Sequence, residues 1–61
     1  MKRHYMDFYG NNATISETKD GKYLVHVDVF DGVYHTCATL SEARLKLRTL
    51  SLGWREVGRD N

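Results

Sequence analysis

Two Asp-Gly dipeptides, Asp20-Gly21 and Asp31-Gly32, each set between β-rich runs, constrain this chain more than any other feature. Asp-Gly tolerates the left-handed backbone of tight hairpin turns, so a strand that reaches one reverses and pairs with its neighbour. The runs at 13–18, 23–30 and 33–38 are therefore expected to form a three-stranded antiparallel β-meander.

Period-two alternation assigns the faces of the middle strand. Tyr23, Val25, Val27 and Val29 share the side expected to be core, while Leu24, His26, Asp28 and Phe30 share the other. A two-residue loop at Asp31-Gly32 sets Phe30 opposite Val33, Asp28 opposite His35 and His26 opposite Cys37, all on the non-core face. At the first turn a two-residue loop would point Ile15 away from the core. A three-residue loop with Gly21 in a bulge sets Ile15 opposite Val25 and is the expected form.

Thr39-Leu40-Ser41-Glu42 fits a capping box, in which the Thr39 hydroxyl accepts from the Glu42 amide and the Glu42 carboxylate reaches back. A helix is predicted from there, with Leu40, Ala43, Leu47 and Leu50 as its core stripe. Gly53 is placed for a C-cap, so the helix should end near Leu52. Residues 54–57 suit a short last strand and 59–61 a polar tail. Residues 1–12 mix Tyr5, Met6, Phe8 and Tyr9 with the turn signal Gly10-Asn11-Asn12, which suits an N-terminal arm or a short strand. The fold class is thus α+β: a three-stranded meander, one helix and a short C-terminal strand, in a single domain over residues 13–58.

A chain of 61 residues builds only a thin core. Small folds usually add disulfides, a metal or a partner; with Cys37 as the lone cysteine, self-association into a dimer or a protein partner is the expected supplement. The lone thiol and the lack of a signal-peptide pattern point to the cytoplasm, and no apolar run is long enough for a membrane. Nine Lys and Arg against eight Asp and Glu give a net charge of +1, without the basic excess that nucleic-acid binding exploits.

Four outward residues, His26, Asp28, His35 and Cys37, are of the types that ligate zinc. They lack CxxC or HxxxH spacing, and parallel side chains on a flat sheet do not converge on a tetrahedron. Their bland reading is a half-solvated sheet face, so neither a metal site nor a cofactor is assigned. Cys37 beside His26 would need an orienting group and an oxyanion hole to act as a nucleophile; no catalytic residues are assigned. Arg44 and Arg48 flank the helix stripe and, with Tyr34 on the sheet, are the nucleic-acid candidates, although late cations also suit a helix dipole. Leu45 and Leu52 fall opposite the core stripe. With Leu24, His26, Phe30 and His35 they are the candidate partner-binding residues, because a domain this small cannot bury both helix faces by itself.

The segment DGKYLVHVDVFDGVYHTCATLSEA, residues 20–43, resembles the HicB antitoxin family in its order of Asp-Gly turn, alternating strand, Gly-ended turn, third strand and Thr-Leu helix opening. Where that family carries a proline-containing turn, this chain has Asp28-Val29-Phe30-Asp31-Gly32. The resemblance implies a non-catalytic bacterial or phage module, dimeric in many members, that binds and blocks a protein toxin. The family's C-terminal DNA-binding extension has no counterpart, so operator binding is not implied.

The leading expectation is therefore a small protein–protein interaction module acting as an inhibitor by occupying a partner surface. A nucleic-acid-binding module is the alternative.

Overall fold

The computed structural model describes residues 1–28 and 32–60. The elements in chain order are β1 (Lys2–Met6), β2 (Asn12–Glu17), β3 (Tyr23–Val27), β4 (Val33–Cys37), α1 (Leu40–Leu50) and β5 (Arg55–Asp60). They form one five-stranded sheet, ordered β4-β3-β2-β1-β5, in which every neighbouring pair is antiparallel. The α+β class and the meander hold; the sheet has five strands instead of three and a short fourth. No helix is long and apolar enough to cross a membrane among the described residues.

The extra strands come from the two ends of the chain. Of the arm and the strand left open for the N-terminal segment, the strand forms: β1 lies inside the sheet, between β2 and β5. The last strand runs on to Asp60, so residues 59 and 60 belong to the sheet and not to a polar tail. Along β1, Arg3 and Tyr5 face Ile15 and Ala13 while Lys2, His4 and Met6 point the other way. That alternation is short and interrupted by charge, which hides a strand whose neighbours supply the apolar contacts.

Cross-strand partners share a face, so the register assigns both sides of the sheet. Ile15 opposes Val25 and Ala13 opposes Val27. These four, with Tyr5 from β1 and Ala43 and Leu47 from α1, form the buried core, and Tyr23, Val33, Cys37, Leu40, Leu50 and Trp54 pack against it. The helix stripe is the expected one. Since β4 and β5 lie at opposite edges, the chain must cross one face of the sheet to join them, and α1 is that crossing. It leans over β3 and β4.

The first hairpin has the expected bulged form. Thr18 donates its amide to Lys22 O at 2.9 Å and Gly21 donates to Thr18 O at 3.1 Å, with Gly21 at φ +80, a region open to glycine at no steric cost. The second hairpin differs. Val27 opposes Val33, Val25 opposes His35 and Tyr23 opposes Cys37, so the connection spans residues 28–32 and the pairing shifts from the one a two-residue Asp31-Gly32 loop would set. Because the side-chain period is two, this odd-numbered shift carries His35 and Cys37 to the core face. The placement of Val29 on the core face, and of Phe30 and Asp31 at the second turn, lies outside the described residues.

At the helix start Thr39 Oγ1 accepts from the Glu42 amide at 3.1 Å, as the capping box requires. The Glu42 carboxylate reaches back one residue further, accepting from the Ala38 amide at 3.0 Å. The helix closes at Leu50 with Ser51 as C-cap, earlier than the expected end near Leu52. Trp54 then donates its indole N–H to Leu47 O at 2.7 Å, a second bond to a carbonyl that already accepts from the Ser51 amide at 3.2 Å, and this locks the side chain over the core.

One turn ties the end of β1 to the end of α1. Asp7, at the end of β1, is buried, and its carboxylate accepts from the amides of Tyr9 at 2.9 Å and Asn11 at 2.7 Å. It also accepts from the Asn11 side chain at 2.8 Å and from Ser51 Oγ at 2.6 Å. Burial pushes this carboxyl upward, but the bonds from Ser51, Asn11 and Tyr9 outweigh it and hold the group below its ordinary value. Phe8 donates its amide to Leu52 O at 2.9 Å. Gly53 lies so close that a Cβ there would meet the Phe8 Cβ at 3.0 Å, so this contact needs a glycine.

Candidate binding face

The face opposite α1 carries no second layer among the described residues. Register puts Gly58, His4, Thr14, His26 and Tyr34 in one row across all strands, and Asp60, Lys2, Ser16, Leu24 and Thr36 in the next. Tyr34 and His26 are direct cross-strand partners, and their rings stack with centroids 4.3 Å apart at 11°. Tyr34 is 62% exposed, whereas His26 and Leu24 are half-buried among their neighbours. At the other end of the row His4 Nε2 is hydrogen-bonded to Asp60 Oδ2 at 2.7 Å.

Charge is unevenly spread over this face. On β2, β3 and β4 it presents no Lys, Arg, Asp or Glu; Lys2, Arg55 and Asp60 sit on β1 and β5. The centre is thus a stretch of hydroxyl, amide, aromatic and aliphatic side chains with its ions at the margins: Lys2, Arg55 and Asp60 toward β1 and β5, and Asp28 just past the end of β3, beside Asn12, Thr14 and His26.

The candidate residues fall into separate places. Leu24, His26 and Tyr34 come together on the open face. His35 does not join them: it opposes Val25 and is half-buried on the helix side. The same shift dissolves the His26, Asp28, His35 and Cys37 cluster, because His26 and Cys37 lie on opposite faces, and no three His, Cys, Asp or Glu among the described residues gather to hold a metal ion. The pairing of His26 with Cys37 as a nucleophilic dyad goes with it. Leu45 and Leu52 are exposed, but Leu52 lies beyond the helix and does not stack above Leu45 as a continued helix would require. Phe30 lies outside the described residues. Arg44 and Arg48 belong to the helix layer and cannot act with Tyr34 on a single flat ligand; they face a groove with Tyr5, Trp54 and Glu56.

Sequence reasoning missed His4, Thr14 and Met6 as members of the open face. The signal was the alternation of Lys2, His4 and Met6 against Arg3 and Tyr5, visible once β1 is read as a strand. Comparison with family models, with curated proteins and with solved structures returns no match for this chain.

Proposed function

We propose that this protein is a non-catalytic interaction module that occupies a partner protein's surface through the open face of its sheet. The observation that carries this reading is the charge-free centre of that face, where Leu24, His26 and Tyr34 lie together. Interface centres are depleted in charge and enriched in aromatic side chains, with charge left to the rim. Tyr34 is the natural anchor, since a stacked, exposed tyrosine offers large contact area at small entropic cost.

Resemblance to the HicB antitoxins suggests the kind of partner, a protein toxin that the module blocks in a bacterial or phage setting. We place this action in the cytoplasm, in keeping with the lone Cys37, and a dimer is the assembly that the resemblance implies. Affinity purification of the tagged chain from its source organism, beside a Tyr34→Asp variant, tests the reading. A protein retained in near-stoichiometric amount by the parent and lost by the variant is the expected result. Equal retention by both, or no retained protein, would defeat it.

A second reading is favoured by the same aromatic pair. A flat sheet with an exposed ring can stack an unpaired base, which makes single-stranded nucleic acid the alternative ligand. It predicts binding to single-stranded oligonucleotides that falls steeply with salt and is lost in Tyr34→Ala. Absence of binding at low salt removes it.

A further inference from the structure

Because α1 leans toward β3 and β4, part of the helix-side face of the sheet stays uncovered next to β1 and β5. A groove of about 490 Å³ remains there, lined by Tyr5, Arg44, Leu47, Arg48, Trp54 and Glu56. That volume falls in the range of small-molecule sites, roughly 300–1,000 Å³.

The chemistry of the walls is lopsided. Arg44 and Arg48 stand one helical turn apart on the same flank, and neither forms an ion pair among the described residues. The carboxylate in the groove, Glu56, is already engaged: it is paired with the Arg59 guanidinium and accepts from the Tyr5 hydroxyl at 3.4 Å. Bonding to Arg59 holds the Glu56 carboxyl below its ordinary value despite partial burial, and Arg3 and Tyr5 add to the effect. The groove therefore keeps an uncompensated pair of forked cations. Its apolar surface is equally defined. Leu47 and Tyr5 are buried, and Trp54 spends its N–H on Leu47 O, which fixes the ring and leaves it no unmet polar group.

We propose that this groove binds a small aromatic anion, a planar ring bearing a phosphate or carboxylate, with the ring against Trp54 and the anion between Arg44 and Arg48. This site is on the opposite layer from the open face and is independent of the interaction reading above.

Trp54 is the chain's single tryptophan, so its fluorescence reports on the groove directly. Phenyl phosphate and benzoate should each be titrated, beside benzyl alcohol as a ring without charge and inorganic phosphate as charge without a ring. A saturable change is expected with a ring-bearing anion, at least about tenfold tighter than with either half-probe, since each control lacks the charge-assisted bonds or the apolar contact. Tighter binding of phenyl phosphate assigns the phosphate class, and tighter binding of benzoate the carboxylate class. In the Arg44→Gln, Arg48→Gln double variant, with unchanged circular dichroism, affinity should fall at least about tenfold. Nitrogen-15 shifts of the Trp54 indole and of the Arg44 and Arg48 Nε groups in the parent protein provide a readout that does not depend on the variant's folding. No saturable change with either aromatic anion at millimolar concentration, undiminished binding in the folded double variant, or shifts confined to other residues would overturn the proposal.

Discussion

The helix-side face of the sheet divides into two halves held by different forces. Beneath α1, Ile15, Val25 and Val27 are fully buried and need only apolar neighbours. Toward β5 the same face carries Arg3, Glu56 and Arg59, joined by ion pairs, while every residue of β5 is exposed. Arg3 shows the cost of building with charge: its Nε and Nη1 atoms are buried with no hydrogen-bond partner, and its carboxylates lie 3.8 and 3.9 Å away. The first half gains from desolvation, whereas the second depends on geometry that water and salt can compete with.

Ile15→Ala strikes the apolar half and should have the largest effect, a loss of about 2–5 kcal/mol, comparable with the whole stability of so small a domain. Urea denaturation checks it, and a loss below about 1 kcal/mol would contradict the burial of this side chain. Asp7→Asn should come next, because it weakens the turn that ties β1 to the helix end. Its sign with pH is fixed by the lowered carboxyl: the stabilisation is complete above the ordinary carboxylate range and is lost as pH falls through the depressed folded value. Parent and variant midpoints should therefore differ at neutral pH and converge in acid; a gap constant with pH would sink the assignment. Thr39→Ala removes the helix cap and should cost about 1 kcal/mol by the same denaturation assay. Smallest in global stability is Glu56→Gln, whose effect should be local. Amide exchange in β5 should quicken while that of β2 and β3 stays unchanged, and uniform acceleration would show that the charged half is not an independent unit.

This contrast also explains what could be read in the sequence. The alternation of Val25 and Val27, the Asp20-Gly21 bulge and the Thr39 cap are local signals of apolar burial and hydrogen bonding, and each lands where the residues predict. β1 and β5 carry no such pattern: their faces are built from Arg3, Tyr5, Glu56 and Arg59, and they become strands through pairing with each other and, for β1, with β2. Pairing between residues near opposite ends of the sequence, such as Tyr5 and Glu56, leaves no local trace. At the second turn the Asp-Gly signal was sound as a reversal but silent about loop length, and the shifted register separated His35 from His26. Of the candidate face, Leu24 and His26 are legible from alternation; Tyr34 is not, because it reaches that face only through the same shifted register, and neither is the groove, which exists only where β5 returns beside β1.

The two sheet edges differ in what they allow. β5 ends the sheet with Arg55, Glu56, Arg59 and Asp60, whose charges discourage another chain from adding on. β4 ends it with Val33, Tyr34, His35, Thr36 and Cys37, which carry no formal charge when histidine is neutral. Strand addition is thus favoured at one margin and opposed at the other. If two copies join antiparallel through β4, each uses up its single permissive edge, and the sheet stops at two molecules instead of lengthening into a fibre.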